Sequence, residues 1–130
     1  MMTSSTSGYH WGIEVDGDLV GAISVVNLDG HDAKAEVGDV VARRAWGRGL
    51  ATEALTAVVA HMFEEVGLNR LYAVHAPGNT ASGRVLVKAG FEHEGLAIDH
   101  MRCTEGFQDC HLYGLTRGQW RRRADEAAGG

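Results

Sequence analysis

Between residues 41 and 51 the apolar period of the chain changes, and the junction is rich in glycine. Before it, Ala35 to Val41 reads as a strand; after it, Ala51, Ala54, Leu55, Val58, Met62 and Val66 recur at the spacing of one helix face. The joint reads Trp46-Gly47-Arg48-Gly49-Leu50-Ala51. A glycine-rich turn entering a helix points several backbone N–H groups one way, and the helix dipole adds partial positive charge there. Such a joint suits a pyrophosphate. Gly47 and Gly49 let the backbone approach a ligand without a Cβ, and Arg43, Arg44 and Arg48 can add charge-assisted contacts. Alone the pattern is weak, because a helix start can need glycines for its turn only. No Gly-Lys-Ser/Thr follows, so it is not a Walker loop. The third glycine of a dinucleotide fingerprint is also missing.

The rest of the chain supplies the frame. Tyr9–Val15 and Leu19–Leu28 read as strands joined at Asp16-Gly17-Asp18, a hairpin signal. With residues 35–41 they predict an antiparallel meander. The helix over 51–66 ends at Gly67, and Leu71–Ala76 is a strand, so a crossover predicts parallel pairing. Pro77-Gly78-Asn79 is a turn; Asn79 or Thr80 caps a helix over 80–89 that stops at Gly90. Residues 91–99 and 108–115 predict a last hairpin through Glu105-Gly106. The order β-β-β-α-β-α-β-β is α+β in class, a mixed sheet flanked by helices. The 130 residues divide into a flexible start (1–8), one domain (9–120) and a polar, frayed tail (121–130).

Composition narrows the function classes. Hydrophobic content of 45% against 22% charged predicts a soluble globule, and no apolar run approaches the ~20 residues of a membrane span. The start "MMTSSTSG" has no secretory pattern. Two cysteines, Cys103 and Cys110, make no disulfide framework, so the reading is a cytoplasmic protein with free thiols. A net charge of −5 argues against nucleic acid as partner and tolerates a cationic amine. His93 and His111 read as cross-strand neighbours; the seven histidines show no ligand spacing, and no metal is expected.

Three segments together resemble a known family. "EVGDVVARRAWGRGLATEAL" looks like the acetyl-CoA motif of the GCN5-related N-acetyltransferase (GNAT) superfamily, in the form of its RimJ/RimL-like branch. Trp46, Gly49 and Ala51 take the positions of the Q/R-x-x-G-x-G/A motif, with Trp in the opening place. "PGNTASGRVLVKAGFEHEG" and "CHLYGLTRGQW" resemble the second block and the closing strand, and the likeness covers roughly residues 10–120.

The resemblance implies a GNAT fold with a splayed parallel strand pair, into which pantetheine inserts. Asp39, Val40 and Val41 would offer backbone groups; Trp46, Gly47, Arg48, Gly49, Leu50 and Ala51 would hold the pyrophosphate; Asn79 would bond the pantetheine arm. Arg84 and Lys88 either reach the adenosine end or lie on a solvated helix face. The implied reaction is attack of a primary amine, on a protein N-terminus or a small molecule, on the thioester of acetyl-CoA. A backbone N–H near Val41 would be the oxyanion donor. Where some members carry a Tyr acid or a Glu base, this chain has Leu86 and Val74. The branch's Ser falls on Ser82, either a proton donor to the thiolate or a plain helix cap. Glu36 could steer a base water; Asp99 and His100 are lesser candidates. Members usually open with a further strand and helices that wall the acceptor site. Their place here is short, which predicts an open site, a homodimer whose second subunit supplies the wall, or a shortened, non-catalytic CoA-binding module. Transfer of a larger acyl group is the other alternative.

Overall fold

The structure is a computed structural model that describes residues 2–5, 8–42, 45, 47 and 49–129. Seven strands form one sheet: β1 (Met2–Ser5), β2 (Gly8–Val15), β3 (Asp18–Asp29), β4 (Lys34–Val41), β5 (Arg70–His75), β6 (Glu92–Cys103) and β7 (Gly106–Thr116). Their spatial order is β1-β2-β3-β4-β5-β7-β6, antiparallel throughout except for β4 and β5. The hairpin expected at Asp16-Gly17 is present, and both residues take left-handed φ (51° and 86°), as a tight two-residue turn demands.

α1 (Leu50–His61) bridges β4 and β5, and a π-helical turn over Met62–Val66 completes the predicted 51–66 helix. Gly67 closes it at φ 85°, returning its N–H to Met62 O. α2 (Thr80–Lys88) follows β5, capped by the Asn79 side chain, which accepts from Ser82 N at 3.3 Å. Alternate residues of the central strands turn to the helices: Ile23 and Val25 on β3, Ala35 and Val37 on β4, Leu71 and Ala73 on β5 are all buried. Leu55, Val59, Met62, Phe63 and Leu86 close the core from the helical side. The other face carries His10, Glu36, Val40 and Tyr72; no described helix lies over it, and Val40 is 72% exposed.

Two expectations at the ends are corrected. Residues 2–5, placed in a flexible start, form β1 on the edge of β2. The tail from Arg121 is not frayed: it belongs to α3 (Arg117–Gly129). A reciprocal capping box begins α3, with Thr116 N donating to Gln119 Oε1 (2.8 Å) and Gln119 N to Thr116 Oγ1 (3.2 Å). Trp120 then packs against Phe63 in a tilted ring pair with centroids 5.4 Å apart, which helps anchor a helix too polar to hold itself. The last hairpin also runs longer than predicted, to Cys103 and from Gly106.

Candidate functional site: a split in the sheet

β5 is paired to β7 along its whole length, from Arg70↔Thr116 to His75↔His111. Its other edge pairs with β4 only through Lys34↔Arg70, Ala35↔Leu71 and Glu36↔Tyr72. The register with β5 ends at Glu36↔Tyr72 among the described residues, so the two parallel strands part there. On β4, Ala42 N donates to Val20 O at 2.7 Å. The alternation of an antiparallel ladder therefore gives the even residues to β3 and turns the backbone groups of Val37, Asp39 and Val41 toward the gap. Such an edge can accept a third, extended chain between β4 and β5.

A cleft of ≈ 580 Å³ opens from this fork toward α1. It brings together most of the predicted cofactor residues: Asp39, Val40, Val41, Gly47, Gly49, Leu50, Ala51, Asn79 and Ser82 all line it. Trp46 and Arg48, also expected there, lie outside the described residues, as do Arg43 and Arg44. Gly47 and Gly49 have φ of 77° and 72°, a region that side chains disfavour, and a Cβ at either would meet no atom of the described residues within 4 Å. Glu53 N makes the first helical bond, to Gly49 O at 3.0 Å, and among the described residues no side chain caps the helix. The amides of Leu50, Ala51 and Thr52 are left for an anion, together with the dipole of a three-turn helix.

Across the cleft stand α2 residues. Arg84 and Lys88 line it and have no carboxylate partner among the described residues. Thr52, Ala81 and Val85 also line it and were not foreseen. Val85 also packs against the core, and its four-residue spacing from the cleft-facing Ala81 was the available signal. Burial pushes the Asp39 carboxyl up from its ordinary value.

Glu36 is not in the cleft. It belongs to the last pair before the fork, on the face away from the helices, where Oε1 accepts from Asn27 Nδ2 at 2.8 Å. Its neighbour Tyr72 has its phenol pushed up by burial and then by the Glu36 charge, so it stays a hydrogen-bond donor. Asp99 and His100 sit in the irregular stretch of β6, away from the cleft residues. His93 and His111 are neighbours as expected, with Nε2 to Nδ1 at 3.0 Å. Among the described residues, no group of three or more His, Cys, Asp or Glu could hold a metal. Cys103 and Cys110 are free, Cys110 buried.

A mixed sheet split at one parallel pair, with a glycine-led helix at the mouth of the split, is the frame of this site. The chain belongs to the acetyltransferase (GNAT) domain family, whose model matches residues 2–92. It is 36% identical over 114 residues to the putative ribosomal N-acetyltransferase YdaF of Bacillus subtilis, covering 88% of this chain and 62% of the relative. It is 31% identical over 118 residues to the [ribosomal protein uS5]-alanine N-acetyltransferase of Escherichia coli, covering 88% and 60%. Among solved structures, Mycobacterium smegmatis RimJ in complex with CoA-disulfide superposes with a TM-score of 0.83 at 32% identity, over 95% of this chain and 61% of RimJ. The chain therefore spans about three-fifths of the length of these relatives. No described helix is long and apolar enough to cross a membrane.

Proposed function

We propose that this domain is an acetyl-CoA-dependent N-acetyltransferase acting on a primary amine, the RimJ/RimL-like expectation of the sequence. The observation that carries it is the fork: Val37–Val41 stand apart from β5 directly beside an uncapped helix start with two left-handed glycines. Pantetheine would lie along Asp39–Val41 as a third strand, and its pyrophosphate would meet the amides of residues 47–51, with Trp46 and Arg48 completing the loop. Asn79 and Ser82, on the first turn of α2, would face the thioester end.

The acceptor nitrogen would attack the thioester carbon, forming the new C–N bond as the C–S bond breaks. The oxyanion would be met by a backbone N–H near Val41, a donor of a kind worth ~3 kcal/mol. The leaving thiolate would take a proton through Ser82, and the amine's proton would pass to a water held by Glu36, at the fork on the uncovered face. The same face, with the net charge of −5, favours a cationic acceptor. Acetyl-CoA and an amine are the proposed partners, in the cytoplasm. The homodimer reading rests on the uncovered edge strand β6, where Leu96 and Ile98 are exposed.

A thiol-release assay with acetyl-CoA and a panel of amines, including peptides with a free N-terminal alanine, tests the activity. Turnover on an amine that Glu36→Gln slows supports it. CoA binding without turnover on any amine leaves only a binding module and ends the enzyme reading.

A further inference from the structure

A second pocket lies between α2 and the strands β5 and β7. It measures ≈ 410 Å³ and is lined by His75, His111, Tyr113, Val87, Arg84 and Lys88, with Pro77, Thr80 and Gly83 at its rim. Its floor consists of rings. His75 stacks on Tyr113 with centroids 5.3 Å apart and planes 28° apart, and lies 5.2 Å from His111. The floor is fixed by polar bonds. Nδ1 of His75 donates to Ala76 O at 2.7 Å, which leaves Nε2 to accept from the Tyr113 hydroxyl at 3.3 Å. His75 is 92% buried by this arrangement, being 8% exposed. Gly83 makes the close approach of α2 possible, because a Cβ there would fall 2.9 Å from both His75 Nε2 and Tyr113 Oη. The pocket is therefore a built feature and not a gap between loosely packed elements.

Its chemistry is one-sided. Arg84 and Lys88 line it beside the rings, Thr80 adds a hydroxyl, and no carboxylate is among its described lining residues, although the chain as a whole is acidic. Rings and cations in one pocket fit a ligand with a flat ring and a negative group. The volume is that of a small-molecule site. We propose that this pocket binds a small aromatic anion, separately from the cleft at the fork. Arg84 and Lys88 line both spaces, so the anion and a phosphate-bearing occupant of the cleft would compete for the same two charges. Binding at either would then weaken the other, by the same factor in both directions.

The test is titration calorimetry with phenyl phosphate, inorganic phosphate and benzyl alcohol on the whole chain, with the histidine ring resonances followed by NMR. Phenyl phosphate is expected to bind at one site about tenfold more tightly than either half-molecule, and to move the His75 and His111 signals. Val87 is exposed and lines only this pocket, so Val87→Trp should fill it and cost about tenfold in phenyl phosphate affinity, with CoA binding intact. Should that variant unfold, His111→Leu carries the same comparison. Gly49→Glu, which blocks the cleft mouth, should leave phenyl phosphate binding intact. Loss of phenyl phosphate in Gly49→Glu would put the ligand in the cleft, and equal affinity for phosphate and phenyl phosphate would reduce the site to two surface cations. Either result overturns the proposal.

Discussion

The two edges of β5 behave in opposite ways. Toward β7 the strand is bonded from Arg70 to His75; toward β4 it is bonded only from Arg70 to Tyr72. The zipped edge is fastened further by side chains that cross it. Arg70 reaches over β7 to hold Glu94 of β6 with two hydrogen bonds, at 2.9 and 2.6 Å, and Gly114 lies beneath the pair because a Cβ there would collide with both groups. At the other end His75 is tied to Tyr113. Among the described residues, no side-chain hydrogen bond of this kind joins β4 to β5 beyond Glu36 and Tyr72. β4 is instead held to β3 up to Gly21↔Val41, so each wall of the fork is anchored to its outer neighbour. A binding slot in a sheet thus needs rigid support on both sides to stay open, since parted strands otherwise gain by pairing.

The largest effect belongs at the mouth of the open edge. Gly49→Glu forces a side chain into φ 72° and puts a carboxylate where the structure offers amides. It should weaken CoA binding by about 100-fold, or ~3 kcal/mol, with the far-ultraviolet spectrum unchanged. Affinity within a factor of two of the parent would mean that the slot holds something other than a phosphate.

On the zipped side, Gly83→Ala should destabilise the fold by about 1–3 kcal/mol in chemical denaturation, because the added methyl presses on His75 and Tyr113. A neutral outcome would show that α2 rides loosely over β5, and that the edge is not the anchor argued above.

Glu94→Gln should cost less, about 0–1 kcal/mol at pH 7, since the Arg70–Glu94 pair is partly exposed. Its pH dependence is the sharper readout. The hydrogen bonds from Arg70 hold the Glu94 carboxyl below its ordinary value. The bridge's contribution is therefore complete above the unfolded pKa and fades as pH falls through the folded one. Parent and variant should converge in acid; a constant gap down to pH 3 would assign the loss to shape and not to charge.

Which of these features the sequence announced follows from their range. The turns at Asp16-Gly17 and Gly67, the glycine-led helix and the Asn79 cap are local and were legible. The fork was not legible from periodicity, because residues 35–41 read as one strand whether or not both its edges are paired; only the resemblance to a family implied it. α3 was missed although Thr116-Arg117-Gly118-Gln119 spells a capping box, because its polar body is held by contacts distant in sequence: Trp120 on Phe63, Gln119 on Glu92 and Arg117 N on Asn69 O. β1 was missed because a polar edge strand is held by backbone pairing, which leaves no apolar pattern. The ring-floored pocket joins residues 75, 111 and 113 across a sheet and has no linear signature at all.

The smallest effect probes how open the fork is. Asp39 lies between the walls, and burial there raises its carboxyl pKa. A raised folded pKa means that the folded state holds this proton longer than the unfolded chain does. The corresponding stability is complete below the ordinary aspartate range and is lost as pH climbs through the raised value. At neutral pH the ionised Asp39 therefore opposes folding, and Asp39→Asn should raise the melting temperature slightly. Below the ordinary aspartate range, where Asp39 is protonated in both states, the gain should vanish. The test depends on the cleft's being narrow. A fork wide enough to hydrate Asp39 fully would remove the desolvation, and the two melting temperatures would agree at every pH. Agreement would thus mean an open edge wider than the structure shows, while a gain confined to neutral pH would mean walls close enough to strip water from a carboxylate and, by the same token, from a ligand's extended arm.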